Sequence, residues 1–254
     1  MLSIVGLANG LFGPIAESIA ARGLQDAALT TFGVSAIVWL AAPLALWGLR
    51  GDLRPPSRRD YLVAAAAAVG FCVPNPQVSW GVLAGLALYL RHTSHDATAR
   101  TAALTLFAVT VPVFWSKLVF LLFDHWILLL DAALVSLLTG LPQEGNALKL
   151  GGGWGYLIIA GPCSAFANLS LMAPCWMAFQ QGRAEQAPGR LWWAFIGLAA
   201  VVAINILRIS LIGLHPDRYE FLHGPTGAGV AAWLTAAVII LSCYLGARND
   251  ARPT

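Results

Sequence analysis

The sequence contains little charge: 11% of its 254 residues are charged, while 58% are hydrophobic. A soluble domain carries about 25% charged residues, so this chain lacks the polar surface that a water-soluble fold needs. The apolar residues fall in long blocks, such as 27–49, 191–207 and 228–245, which approach the ~20 residues needed to cross the hydrocarbon layer. Because the backbone in lipid must satisfy its own hydrogen bonds, we expect these blocks to be helices.

Motifs that would indicate a metal or hydrolase site are absent as well. The sequence has no HExxH pair for zinc and no GxSxG nucleophile elbow. Its four cysteines, Cys72, Cys163, Cys175 and Cys243, form no CxxC pair, which argues against a disulfide framework or a zinc site. The net charge of +3 is small, so we expect no nucleic-acid partner. We also expect no metal and no cofactor.

The long apolar blocks predict an all-α polytopic membrane protein that forms a single integral domain over residues 1–254. It would have about seven to eight transmembrane helices, an interfacial helix on the outer face and a short extended segment. The predicted helices are 2–20 (interrupted by Gly10, Gly13 and Pro14), 27–49, 61–73, 78–90, 101–123, 163–180, 191–212 and 226–245. The stretch 126–141 would be the interfacial helix, and 142–153 would be extended and Gly-rich, followed by the apolar run 156–160.

The arginines predict the orientation, because Lys and Arg concentrate in cytoplasmic loops. Ten of the fifteen Lys and Arg residues fall in three loops and the C-terminal tail: Arg50, Arg54, Arg58, Arg59, Arg91, Arg100, Arg183, Arg190, Arg248 and Arg252. These segments share one side if 126–141 lies along or dips into the outer face. Both termini would then be inside, and 74–77, 124–162 and 213–225 outside. With no signal peptide expected, we predict a multi-pass protein of the cytoplasmic membrane.

This topology brings three chemically competent residues to the outer side. Cys163 follows Gly161 and Pro162 at the predicted start of a helix, where free N–H groups and the helix dipole favour a thiolate. Arg208 lies in an otherwise apolar helix, where a charged residue is costly and marks a functional site by default. His223 precedes the last helix and supplies a titratable base. A nucleophile, a cation and a base would therefore meet at the outer face.

Each of the three residues also has an ordinary structural interpretation. Cys163 could be a small packing residue, Arg208 a snorkelling anchor, and His223 a solvated loop residue. His215 is a rival for the role of base.

Two further carboxylates lie in apolar stretches. Glu17 and Asp131 could mark a proton or ion path.

Four segments of the sequence resemble the exosortase/archaeosortase family of membrane cysteine transpeptidases, over about 134–227. LVSLLTGLPQEGNALKL (134–150) is similar to the family's apolar helix, Gly break and extended stretch. GPCSAFANLSLM (161–172) resembles its Cys-Ser-Gly helix start, NILRISL (205–211) its Asn-x-x-Arg-Ile element, and HGPTG (223–227) its His-x-x-x-Gly. Two departures are Ala165 in place of the usual Gly, and Phe166-Ala167 in place of a frequent Ile-Arg.

The resemblance implies Cys163 as the nucleophile, Arg208 as an essential cation and His223 as the third catalytic residue. It implies an enzyme that cleaves C-terminal sorting signals of secreted proteins, of the Pro-Glu-Pro type, at the outer face of a bacterial membrane. The product would pass through a thioester to a cell-surface acceptor, with a link to exopolysaccharide assembly. The expected partners are sorting-signal segments and membrane lipids.

Three alternatives stay open at this point. The chain could be a transporter or assembly factor in which Arg208 binds an anionic substrate, a membrane hydrolase without transfer, or a structural subunit. The sequence names neither the acceptor nor the oligomeric state.

Overall fold

The computed structural model describes residues 1–51, 55–181 and 191–248. Four of the arginines that predict the orientation, Arg54, Arg183, Arg190 and Arg252, lie outside the described residues. The α-helices are α1 Leu2–Leu29, α2 Ala36–Gly48, α3 Arg58–Phe71, α4 Pro76–Thr93, α5 Ala97–Thr110, α6 Ser116–Thr139, α7 Phe166–Leu169, α8 Met172–Gln180, α9 Leu191–Leu214, α10 Tyr219–His223 and α11 Pro225–Arg248.

The prediction of a helical membrane protein is confirmed. Within the described residues, four helical stretches are long and apolar enough to cross a membrane: Leu2–Ala28, Ala97–Thr139, Leu191–Leu214 and Thr226–Arg248. Large apolar side chains stand on the outside, with Leu137 85% and Trp233 80% exposed, as expected of surfaces that face lipid. The predicted number of seven to eight spans is not confirmed, since α2 is apolar but too short.

The interruptions predicted in the first helix are wrong, because α1 passes through Gly10 and Pro14 without a break. Its non-helical residue is Gly23, with φ +78°. A Cβ on Gly10 would lie 2.5 Å from the Trp80 ring. Gly10 therefore allows α1 to pack closely against α4, which the sequence alone does not reveal.

The predicted helix over 27–49 is also wrong, because the chain leaves helical geometry between α1 and α2. Thr31 and Phe32 adopt positive φ angles of 53° and 55°. The Ser35 hydroxyl then accepts a hydrogen bond from the Ile37 N–H at 3.3 Å and caps α2. Ser35 marks the start of a helix, but one serine within a long apolar block is a weak signal in the sequence.

The chain divides into two compact units, and the predicted catalytic half lies mostly in the second. Unit 1 is Met1–Trp115 with Ala173–Ala187, and unit 2 is Ser116–Met172 with Pro188–Thr254. In unit 1, α4 packs against α1, α3 and α5. That the whole chain forms a single domain stays a prediction.

The stretch predicted as a separate helix, 126–141, is the second part of α6. This helix follows a π-helical turn at Val111–Trp115 and departs from helical geometry at Phe123, with φ −129° and ψ 15°. It ends at Thr139, before Gly140 with φ +73°. Its location at the outer face stays a prediction.

The predicted extended segment forms a small antiparallel sheet in unit 2. Its strands are β1 Gln143–Glu144, β2 Ala147–Lys149 and β3 Tyr156–Ile158, in the order β1-β2-β3. The residues of the core beneath it come from β2, the position after β3, α6 and α9: Ala132, Val135, Leu148, Ile159, Ile206 and Ile209. On the outer face of the sheet, the Glu144 carboxylate hydrogen-bonds to Tyr156 and raises the pKa of that phenol.

Candidate active site

Cys163 lies in a tight 3₁₀ turn, Gly161–Cys163, rather than in the first turn of an α-helix. The predicted helix 163–180 is therefore wrong: two helices, α7 and α8, occupy this stretch, and α7 begins only at Phe166. The N–H of Cys163 donates to the Ala160 carbonyl at 2.8 Å, and that of Ser164 to the Gly161 carbonyl at 3.1 Å. These N–H groups are not free to stabilise a thiolate, so that part of the prediction is wrong too.

The backbone of Cys163 is held by a buried amide on α9. Asn205 is 7% exposed, and its Nδ2 donates to the Cys163 carbonyl at 2.8 Å. Cys163 itself is partly buried and packs against the core beneath the sheet. A buried amide that bonds a backbone carbonyl fixes the position of the residue that carries it, because breaking this bond would leave both groups unsatisfied.

A buried carboxylate on α6 holds the residues that follow the cysteine. Asp131 is 7% exposed and hydrogen-bonds to the Ser164 hydroxyl and to the Ala165 N–H. The Ser164 hydroxyl also accepts from the Phe166 N–H at 3.2 Å. One carboxylate oxygen of Asp131, Oδ2, is buried and has no hydrogen-bond partner among the described residues. Asp131 therefore has a local role in positioning this turn, and its predicted role in a proton or ion path stays a prediction.

Arg208 lies one turn further along α9 than Asn205 and is partly buried. Its Nε donates to the Leu222 carbonyl at 3.3 Å. Among the described residues, no carboxylate lies within ion-pair distance of its guanidinium. Arg208 also lines an apolar groove of about 330 Å³ between α9, α10 and α11, whose other residues are Ile204, Leu207, Leu211, Phe221, Leu222, Gly227, Val230, Ala231 and Leu234. A cation without a counter-ion thus faces an otherwise apolar groove.

His223 is the last residue of α10 and directly follows Leu222, whose carbonyl accepts the hydrogen bond from Arg208. Its side chain is exposed, and its ring stacks on Tyr219 with a centroid distance of 4.8 Å and an interplanar angle of 10°. The rival base, His215, is exposed and follows the last residue of α9.

The three predicted site residues are brought together through α9 rather than by direct contact. Asn205 binds the backbone of Cys163, and Arg208 binds the backbone next to His223. Residues three apart are neighbours on a helix surface, about 4.5 Å along its axis. In the described part of unit 2, no hydrogen bond or ion pair joins the side chains of Cys163, Arg208 and His223.

Sequence reasoning assigned no separate role to Asn205, and none in this site to Asp131. The spacing Asn-x-x-Arg was a signal for Asn205, because it places the amide and the cation on one helix face. Nothing in the sequence links Asp131 to Ala165, since 34 positions separate them. Within the described residues, the four cysteines form no disulfide and no group of three metal-ligating side chains forms.

Comparison with models of protein families, with curated proteins and with solved structures finds no match to the chain.

Proposed function

We propose that this chain is a membrane cysteine transpeptidase that cleaves C-terminal sorting signals of secreted proteins. The observation that carries the proposal is the shared turn of α9, in which Asn205 holds the Cys163 backbone and Arg208 holds the backbone beside His223. A thiol, a cation and an imidazole anchored to one helical turn match the order of motifs by which the sequence resembles the exosortase/archaeosortase family.

Cys163 is the nucleophile of the proposed reaction. Its Sγ, as thiolate, attacks the carbonyl carbon of the scissile peptide bond, forming a C–S bond and a tetrahedral oxyanion. When the intermediate collapses, the C–N bond breaks and the signal leaves as an amine. An acceptor amine, another nucleophile or water then attacks the thioester, so that the thiol is regenerated.

Arg208 and His223 supply charge and protons in this scheme. The Arg208 guanidinium supports the thiolate or the oxyanion, since a fixed cation counts for more in a site of low dielectric than in water. Its Nε donates to the Leu222 carbonyl, and its terminal nitrogens make no hydrogen bond to the described residues, so they can take this role. His223 protonates the leaving amine and then takes a proton from the incoming nucleophile.

The proposed location is the outer face of the bacterial cytoplasmic membrane. The sheet β1–β3 leads directly into Cys163, and its unpaired strand edges are not tolerated in contact with lipid. Its exposed Lys149, together with the glycine-rich turn 151–155, also favours a position outside the hydrocarbon layer. The arginine-rich loops would lie on the opposite, cytoplasmic side.

A second candidate function is transport or assembly of an amphiphilic anion. The groove at Arg208 favours it, because a cation with no counter-ion in the described part of the chain, on an apolar surface, suits an anionic head with an apolar tail. In this case Cys163 would be a packing residue.

The first experiment is co-expression with a reporter protein that ends in a short motif, an apolar helix and a basic tail. Processing is followed by gel shift for the wild type and for Cys163→Ala, Arg208→Ala and Cys175→Ala. We expect Cys163→Ala to abolish processing and Arg208→Ala to slow it by about 10²–10³-fold, the usual cost of removing an oxyanion donor. Cys175→Ala, a buried cysteine of unit 1, should process normally.

Normal processing by Cys163→Ala would refute the cysteine mechanism. If Arg208→Ala alone were inactive, the anion-binding function would be favoured instead. Mass analysis of the released reporter separates transfer from hydrolysis, because only transfer adds the mass of an acceptor.

A further inference from the structure

We propose that the open edge of β3 binds the substrate polypeptide as a fourth strand of the sheet and delivers its scissile bond to Cys163. This inference rests on the proposed function and specifies how the substrate is held. It assigns a binding site to the sheet, which the mechanism above does not use.

Among the described residues, β3 is an outer strand that pairs only with β2. The Ile159 N–H donates to the Asn146 carbonyl at 2.9 Å, and the Leu150 N–H donates to the Gly155 carbonyl at 2.9 Å. Backbone groups of successive strand residues point to opposite edges, so Leu157, opposite Leu148 in the register, also faces β2. The N–H and C=O groups of Tyr156 and Ile158 must then point away from β2, to the open edge.

These edge groups have no other partner in the described part of the chain. The backbones of Tyr156 and Ile158 make no hydrogen bond to described residues outside the ladder. Tyr156 and Ile158 are 49% and 64% exposed, so the face of the sheet on which their side chains stand is not covered. An open edge of this kind presents a row of donors and acceptors that an extended chain can pair with.

The strand is nevertheless firmly anchored from its other face. Ile159 is 1% exposed and belongs to the core of unit 2, and Leu157 packs against the same core. The Asn146 amide additionally donates to the Ile159 carbonyl at 2.9 Å. A rigid strand loses little conformational entropy when a peptide pairs with it, which favours binding.

The position of Cys163 identifies the occupant as the substrate rather than another protein. The chain runs from Ile158 into the Gly161–Cys163 turn, and the Cys163 N–H closes this turn on Ala160. Five residues span at most about 17 Å when extended, and the turn shortens this distance. A strand added at β3 therefore runs within about this distance of Cys163. Main-chain pairing supplies affinity for an extended peptide of varied sequence.

The test removes one N–H donor from the open edge of β3 and leaves the hydrogen bonds between β2 and β3 in place. Ile158→Pro lacks the N–H that faces the open edge, and proline is tolerated on an edge strand when its nitrogen faces away from the ladder. Ile158→Ala loses the side chain and keeps the N–H. Both variants process the reporter described above, in detergent-solubilised full-length protein, and kcat/KM is measured for each.

We expect kcat/KM of Ile158→Pro to be about three- to tenfold below that of Ile158→Ala, as for the loss of one hydrogen bond. Alkylation of Cys163 by iodoacetamide should proceed at the same rate in both variants, which shows that the turn is intact. Equal kcat/KM values for the two variants would overturn the edge-binding proposal.

Hydrogen exchange supplies a second measurement that does not depend on turnover. In Cys163→Ala, a synthetic peptide that spans the reporter's signal should slow amide exchange over residues 156–160. Unchanged exchange in the presence of the peptide would contradict substrate binding. Exchange that slows with rising protein concentration in the absence of peptide would also contradict it, because a second copy of the chain would then occupy the edge. If Cys163→Ala itself processes the reporter, the proposed function fails. If it is inactive while Ile158→Pro matches Ile158→Ala, only the edge proposal fails.

Discussion

Asn205 and Asn9 make the same hydrogen bond in different units of the molecule. Asn205 Nδ2 donates to the Cys163 carbonyl, and Asn9 Nδ2 donates to the Phe71 carbonyl, both at 2.8 Å. Only the first bond concerns the proposed site. Substitution of each asparagine in turn therefore separates an effect on stability from an effect on catalysis.

We expect Asn205→Ala and Asn9→Ala each to destabilise the protein by about 1–3 kcal/mol, because each leaves a backbone carbonyl without its donor. Only Asn205→Ala should lower kcat for reporter processing, by about tenfold or more, since it releases the turn that carries Cys163. Thermal unfolding in detergent and processing rates check the two effects. Equal loss of kcat in both variants would mean that Asn205 acts through stability alone.

Single residues also show what the sequence could and could not reveal. Asn75 and Pro76 mark the start of α4 as a cap and a first helical residue, so this helix begins two residues before the predicted bound of 78. Cys163 looked like a helix start by the same reasoning, yet the N–H groups near it are bonded to Ala160, Gly161 and Asp131. The contact with Asp131 is non-local, so local sequence signals could not predict it.

At the level of elements, α9 is the framework of the proposed site and packs against α11. Gly197 lies at this contact: a Cβ there would come within 2.4 Å of both Met172 Cε and Ser242 Oγ. At Gly229, on α11, an added Cβ would have no described residue within 4 Å. The two glycines thus offer a crowded and an open position within unit 2.

We expect Gly197→Ala to destabilise the protein by about 1–3 kcal/mol through overpacking. Gly229→Ala should be neutral or stabilising by up to about 1 kcal/mol, because alanine is the better helix former. Unfolding of both variants in the same detergent gives the comparison. A Gly197→Ala protein as stable as the Gly229→Ala protein would contradict the close packing of α9 and α11.

The elements were predicted best where the sequence signals are local. The bounds of α9 and α11 follow their apolar blocks closely, and the extended stretch before Cys163 is present as strands β1–β3. The break between α1 and α2 was missed, since one serine cap within a long apolar run is a weak signal. Close glycine contacts, such as Gly10 on Trp80, were missed because 70 positions separate the partners.

At the scale of the whole molecule, orientation in the membrane decides whether the proposed site can meet secreted proteins. We expect an alkaline phosphatase fusion after Gly152, in the turn between β2 and β3, to be active outside the cytoplasm. A matched fusion after His95, between α4 and α5, should be inactive because that loop is predicted to be cytoplasmic. Activity at His95 and none at Gly152 would invert the orientation and leave Cys163 on the wrong side.

The most direct test of the central claim is detection of the thioester on Cys163. Purified wild-type protein is mixed with a short reporter, quenched in acid and digested for mass spectrometry, with and without hydroxylamine. The cysteine mechanism predicts that the peptide containing Cys163 gains the mass of the reporter's N-terminal fragment, and that hydroxylamine removes it. Processing of the reporter with no adduct, or with an adduct on Cys72, Cys175 or Cys243 instead, would contradict Cys163 as the nucleophile.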